Sequence, residues 1–326
     1  MSFELAKRAV DKYASLMKKH DKRTAQISFS GGEVLLAWDV LEQIVLYYRK
    51  AYQSGLPCQF SIMTNASLVT NDIARKLKKY GISVASSIDG LKQANDLVRI
   101  TKKGDGTFDA IVAGLDRLKR QGIPVDVCVT LTDANFPYID ERMIDWAVEH
   151  GSIEIGITPD VINALNVSGE EIVARMLRLR AYGKTKGIEV VGGWYRAFYH
   201  LSVSALDKLC GYCGPVCGDT ISVSPSGLLF ACCYSTDSIG DISQWEHLFD
   251  KNGGYQKMVS GHVAGRQPGC FNCEIEGQCA GECDITRKCA AVFESAKIRQ
   301  MCELSRRMTY EMLFEKLKEG DSVTSI

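Results

Sequence analysis

The chain has 326 residues, enough for one large domain or two but short for three. Lysine plus arginine and aspartate plus glutamate balance at 39 each, so charge gives no case for nucleic acid or an anionic membrane surface. No apolar run approaches the ~20 residues of a membrane span, and the N-terminal MSFELAKRAVDKY reads as an amphipathic helix rather than a signal peptide, so a cytoplasmic chain with reduced thiols is expected.

The first 190 residues alternate regularly. A helix over Phe3 to Lys19 leads to the strand AQISFS, the helix VLLAWDVLEQIVLYYRKAY and the strand QFSIMT. The helix NDIARKLKKY, the strand SVASSI and the helix TFDAIVAGLDRLKRQ follow. Then come the strand VDVCVTL, the helix DERMIDWAVEH, the strand IEIGIT and the helix GEEIVARMLRLRAYGK. Strands alternating with helices of this length predict βαβ units and a parallel sheet.

Each strand runs into polar or turn-forming residues: Gly31-Gly32-Glu33, Thr64-Asn65, Ser87 with Asp89-Gly90, Thr132-Asp133-Ala134-Asn135, and Thr158-Pro159-Asp160. In a parallel α/β barrel these ends share one face, where ligands bind. Any one set is ordinary turn chemistry; five in succession favour a site.

Composition shifts near Gly187. After IEVVGGW come short strands, glycines and cysteines, a loop-rich module that needs a disulfide or metal staple. The expected division is therefore 1–190 and 191–326. Of thirteen cysteines, only Cys58 and Cys128 precede Cys210. Those two read as small core hydrophobes in apolar strands. The other eleven admit three readings. Disulfides are disfavoured in a cytoplasmic chain. Zinc is compatible with C-x2-C pairs, but histidine is scarce here. Iron–sulfur cubanes, each taking four thiolates, fit better, and eleven thiols suffice for two.

The spacing adds specificity. Cys217 is followed by nine residues, Gly227, four residues and Cys232; then come Cys270-x2-Cys273-x5-Cys279-x3-Cys283 and, eighteen residues on, Cys302. This series resembles the SPASM domain, the C-terminal extension of many radical S-adenosylmethionine (SAM) enzymes. Upstream, Phe29 to Glu33 resembles that family's GGE motif, Thr64-Asn65 its TN, and Ser87-Ile88-Asp89-Gly90 its SxDG; Arg99 matches an arginine close to SAM.

The resemblance implies an α/β fold: a partial (β/α)6-type radical SAM barrel missing its first strand, plus a small cysteine-rich SPASM iron–sulfur domain. It implies that Gly31, Gly32, Glu33, Thr64, Asn65, Ser87, Asp89 and Arg99 position SAM. One auxiliary 4Fe-4S cluster would use Cys217, Cys232 and Cys283 plus Cys210 or Cys213. The other would use Cys270, Cys273, Cys279 and Cys302. The implied activity is modification of a ribosomally made peptide or protein, with a leader segment, by hydrogen abstraction through a 5′-deoxyadenosyl radical. The electron donor would be a flavodoxin or ferredoxin.

The sequence departs from the family twice. It has no C-x3-C-x2-C run, the ligand set of the cluster that cleaves SAM. Either the sequence begins inside a longer protein, which would leave AQISFS as a sheet edge, or the protein is a non-catalytic cluster-bearing partner that binds peptide or relays electrons. A zinc-stapled binding protein is the third reading. The second departure is Cys233, which stands where sulfatase-maturing relatives carry an aspartate base; the resemblance therefore does not extend to that activity.

Overall fold

A computed structural model describes residues 1–202, 211–262, 267, 269–293 and 296–320. Helix α1 (Phe3–Lys19) starts on Ser2, whose hydroxyl accepts from the Leu5 N–H. It is followed by β1 (Ala25–Phe29), α2 (Trp38–Ala51), β2 (Cys58–Thr64), α3 (Asn71–Lys79) and β3 (Ser83–Ser87). Next come α4 (Lys92–Val98), α5 (Phe108–Arg120), β4 (Val125–Leu131), α6 (Glu141–Glu149), β5 (Ser152–Pro159), α7 (Gly169–Lys186) and β6 (Glu189–Val191). The six strands form one sheet in chain order, every pair parallel, with β1 and β6 at its edges. The parallel sheet expected from the strand–helix alternation is thus present, in the order the resemblance implied, with β6 a sixth strand beyond the five read from the sequence.

Why these segments fold this way is local and legible. Thr70 and Ser168 cap α3 and α7 by accepting from the Ile73 and Glu171 N–H groups, and α7 stops at Gly187, whose φ of 71° suits glycine. The sheet has two unlike faces because side chains alternate along a strand. On β4, Val125, Val127, Val129 and Leu131 are buried beneath the helices, where they meet Leu115 and Leu118 of α5 and Met143 and Ile144 of α6 in one core. Each such side chain contributes about 1.5–3 kcal/mol by leaving water. The alternate residues Asp126, Cys128 and Thr130 face the inside of the barrel and remain partly accessible. All-parallel sheets normally bury apolar residues on both faces; a polar inner face here leaves room for something other than core.

Three differences from the sequence reading have physical causes. The helix expected over 34–52 is broken: a 3-10 turn over Val34–Ala37 precedes α2, because the Glu33 side chain caps Leu35 instead of continuing the helix. Helix α4 was not foreseen; its seven residues carry too few apolar positions for a clear period. The cysteine-rich half is less irregular than expected. It contains α8 (Arg196–Ser202), α9 (Gly214–Cys217), the antiparallel β7 (Ser222–Val223), β8 (Leu228–Phe230) and β9 (Gly240–Asp241), then α10 (Gly254–Gly261), α11 (Glu276–Cys279), α12 (Asp284–Phe293) and the 24-residue α13 (Ala296–Glu319). Helix α13 packs on α7 and α8, and its Met301, Leu304, Met308 and Met312 belong to the core of the parallel sheet. Its buried stripe also carries Lys297, Gln300, Ser305 and Thr309, which disguises it as a polar segment in the sequence.

Among the described residues, no helix is long and apolar enough to cross a membrane.

Candidate functional site

The C-terminal ends of the parallel strands bring the sequence motifs to one rim. At β1, Gly31 has φ 144°, a conformation L side chains rarely adopt, and both Gly31 and Gly32 have open space where a Cβ would stand. Glu33 does not project into that space. Its Oε1 accepts from the Leu35 N–H at 3.0 Å and from the Thr64 hydroxyl at 2.6 Å, and its Oε2 accepts from the Asn65 N–H at 2.8 Å. The carboxylate therefore locks the end of β1 to the end of β2. Thr64, 2% exposed, in turn accepts from the Ala66 N–H, and Asn65 closes a turn on Ser67. GGE and TN are one structural unit, with backbone rather than the glutamate facing outward.

The ends of β3 and β4 form a second unit. Arg99 Nε donates to Asp89 Oδ2 at 2.6 Å and its NH1 donates to the Ser87 hydroxyl at 3.2 Å. The other Asp89 oxygen accepts from the Thr130 N–H at 2.8 Å, so both oxygens of this buried carboxylate are engaged inside the protein. Gly90 is required: its φ is 120°, and a Cβ would fall 2.6 Å from Ala94 Cβ. Two buried asparagines complete the unit. Asn95 Oδ1 accepts from the Asp89 N–H, and Asn135 Nδ2 donates to the carbonyls of Asp89 and Thr130. The sequence reading did not single out Asn95, and took Asn135 only as one of several strand-end turn residues. The clue was available for Asn135 alone, which lies directly after a strand.

Below the rim, the inner face was missed as a functional surface. Asp126, Cys128 and Glu154 line it, in electrostatic reach of one another. Burial raises the Asp126 carboxyl above its ordinary range; Glu154 rises through burial, then the charges of Asp126 and Glu189. Cys128 is half-buried here rather than a helix-side core filler; burial first, then the two carboxylates, push its thiol up to about 11. The strict alternation in VDVCVTL carried that information. Cys58 does pack against the main core, as expected.

Several cysteines of the second half lie close together: Cys213, Cys273 and Cys283 pack against the small core that includes Cys279. Cys213 caps α9, and the Cys217 N–H donates to the Cys213 carbonyl at 2.9 Å. Burial raises the Cys213 thiol, and the charges of Cys283 and Cys232 raise it further, so these three thiols lie near one another. Burial pushes Cys302 up to about 11, with Glu282 and Cys270 adding to it. Cys279 is likewise raised, mainly by burial, and feels Cys302. Cys273 donates its N–H to the Cys270 carbonyl, and Arg287 NH2 lies 2.8 Å from the Cys270 sulfur. Cys210 lies outside the described residues. Among the described residues no three His, Cys, Asp or Glu side chains already converge on a metal position. The donor chemistry nonetheless suits iron–sulfur clusters: many soft thiols gathered in one half of the chain.

One segment joins the halves. Cys232 hydrogen-bonds Cys233, which favours the thiolate on Cys233, and the Cys233 thiol also meets Ser30 at the end of β1. The neighbouring Tyr234, 70% exposed, lies within electrostatic reach of Cys128 on the inner face. The cysteine-rich half thus reaches the end of β1 beside GGE.

Known proteins resemble this chain in sequence and fold. Residues 2–150 match the family described as the radical SAM superfamily. The chain is 28% identical over 286 residues to the radical SAM cyclopropyl synthase TigE of Paramaledivibacter caminithermalis, a match covering 87% of this chain and 59% of that protein. It is 30% identical over 252 residues to an uncharacterized protein of Methanocaldococcus jannaschii, covering 77% of this chain and 80% of the relative. The fold matches anSMEcpe with bound AdoMet at TM-score 0.76 and 19% identity, over 98% of this chain and 89% of that one. It also matches anSMEcpe with bound AdoMet and a Cp18Cys peptide at TM-score 0.72 and 17% identity, over 97% and 91%. The chain spans less than two thirds of the cyclopropyl synthase. The family match places residues 2–150 of this chain in the radical SAM superfamily.

Proposed function

We propose that this chain is the SAM-binding and auxiliary-cluster part of an enzyme that modifies a ribosomally made peptide or protein. The observation that carries the reading is the hydrogen bond between Cys233 and Ser30, which brings the cysteine-rich segment to the end of β1 beside Gly31 and Gly32. When bound, SAM and its reducing cluster would supply a 5′-deoxyadenosyl radical that removes a hydrogen atom from the substrate.

The chain's own residues would do the positioning. The backbone at Gly31 and Gly32 is open and would receive the amino group of the SAM methionine. Glu33, Thr64 and Asn65 would hold that backbone in place rather than touch SAM. Ser87, Asp89 and Arg99 would border the ribose, with Asp89 fixing the guanidinium. Cys217, Cys232 and Cys283, with Cys213 or Cys210, would hold one auxiliary cluster. Cys270, Cys273, Cys279 and Cys302 would hold the second. The inner face around Asp126, Cys128 and Glu154 would receive the substrate residue. A peptide is the favoured substrate because a structural neighbour, anSMEcpe, binds one along with AdoMet. A flavodoxin or ferredoxin would supply electrons. The 326 residues contain no C-x3-C-x2-C run, so no residue here is assigned to the cluster that cleaves SAM.

Anaerobic reconstitution followed by iron and sulfide analysis tests the cluster assignment: about eight irons per chain are expected for two cubanes, and zinc alone would refute it. Saturation-transfer NMR, which reads weak ligands, tests the rim. Transfer to SAM methionine and ribose protons is expected, and its loss in Gly31→Val; no transfer in the reconstituted wild type would remove SAM from the reading. With reductant, these residues alone are expected to release no 5′-deoxyadenosine.

A further inference from the structure

Lys297, in the first turn of α13, is 4% exposed, and its Nζ has no hydrogen-bond partner among the described residues. Burying an ammonium without a partner costs several kcal/mol, on the order of the loss when a buried ion pair is broken. The chain places this group with care. Gln300, one turn on, accepts from the Leu165 N–H and donates to the carbonyls of Leu165 and Val167, pinning α13 to the loop between β5 and α7. Thr286 of α12 donates to the Val161 carbonyl of the same loop. Lys297 is therefore fixed between two anchored elements.

Burial lowers the pKa of the Lys297 ammonium to about 8, and the charges of Asp160, Glu282 and Cys283 act against that. None is paired with it. Asp160 is committed to its own turn, accepting from the Ile162 N–H and Asn163 Nδ2, both at 2.8 Å. Glu282 Oε2 accepts from the Ser305 hydroxyl at 2.9 Å and lies 4.0 Å from the Cys279 sulfur. Glu282 Oε1 is buried without a partner among the described residues, so it and the Cys283 thiol are what remain within electrostatic reach of the ammonium. Four thiolates on a cubane carry more negative charge than the iron and sulfide core neutralises, so the cluster is an anion. A cation held dry beside it stabilises the reduced, more negative state, and net charge around a cluster is one of the levers on its potential.

We propose that Lys297 is the built-in counter-charge of the auxiliary cluster that Cys283 would ligate, a positioning residue that raises that cluster's reduction potential and so fits it to accept an electron. The inference rests on the cluster assignment given above.

Redox titration followed by electron paramagnetic resonance on reconstituted wild type, Lys297→Met and Lys297→Arg tests it. The expected result is a downward shift of one of the two cluster midpoints in Lys297→Met, the other unmoved, with Lys297→Arg close to wild type. Both midpoints unchanged in Lys297→Met, or both shifted equally, would overturn it. Should Lys297→Met fail to take up iron, Lys297→Gln is the second neutral variant. Iron loss in both neutral variants but not in Lys297→Arg supports the counter-charge; iron loss in all three assigns Lys297 to packing and overturns it. A wild type that binds no iron would refute the cluster assignment itself, a result distinct from each of these.

Discussion

The two halves of this molecule are held by different means. In the sheet half, one large core runs from α1 to α13, and the polar residues at the rim are already paired: Glu33 with three donors, Asp89 with Arg99 and Thr130. In the cysteine-rich half there are two small cores. One groups Ala197, Tyr212, Val216, Ile275 and Cys279; the other groups Leu229, Ile242, Trp245, Leu248 and Tyr255. Buried side-chain atoms with no partner among the described residues occur in both halves: Trp38 Nε1, Ser86 Oγ and Arg180 Nε in the sheet half, Glu282 Oε1 and Lys297 Nζ in the other. Buried polar groups are nearly always satisfied in native proteins. The sheet half is organised by its own chain, whereas the other half is organised around thiols.

The largest effect should come from removing thiols. Replacing Cys270 and Cys273 together by serine is expected to halve the iron content from about eight and to lower the melting temperature of the reconstituted protein more than any rim substitution. Far-UV circular dichroism should still show the α/β sheet, since its core contains neither residue. Unchanged iron content would break the contrast between the halves. Asp89→Ala comes next. It strands the Arg99 guanidinium and the Thr130 N–H together, and with Arg99 27% exposed on its side chain the expected loss is about 2–3 kcal/mol, below that of a fully buried pair. Urea denaturation reads it, and Arg99→Ala should lose less because Asp89 keeps the Thr130 bond.

Much of the sheet half was legible because strands and helices write different periods. VDVCVTL alternates, GEEIVARMLRLRAYGK repeats on a helical period, and Ser168 and Gly187 mark its ends. What escaped depended on contacts distant in sequence. Glu33 reads as a ligand beside two glycines, yet its partners Thr64 and Asn65 lie 31 and 32 residues away. Asn95 sits in a short helix with no motif to mark it. In the other half, cysteine spacing announced thiol chemistry, but not the α13 helix that carries Cys302 back to Cys270. Nor does spacing show why a lysine stands among buried methionines.

Glu33→Gln sharpens the comparison at moderate size. It keeps the shape but removes the charge from an acceptor shared by Leu35, Thr64 and Asn65, and should cost about 1–2 kcal/mol in urea denaturation. A loss in SAM contact without any loss of stability would instead make Glu33 a direct ligand.

The smallest effect belongs to the inner face. Asp126 and Glu154 have carboxyls raised in the folded state, so the folded protein holds their protons more tightly than the unfolded chain does. Stability from these groups is therefore greatest below the ordinary carboxylate range and is lost as pH rises through the interval between the unfolded and the raised folded values. Asp126→Asn and Glu154→Gln remove the ionisation. Each should raise the melting temperature slightly at neutral pH, and the advantage should vanish once the pH falls below the unfolded value. Asp89 differs in that both its oxygens already have donors. If Asp126→Asn instead lowered stability at neutral pH, the inner face would be held by its own ion pairs, as the rim is, and would not be a surface kept open for a substrate.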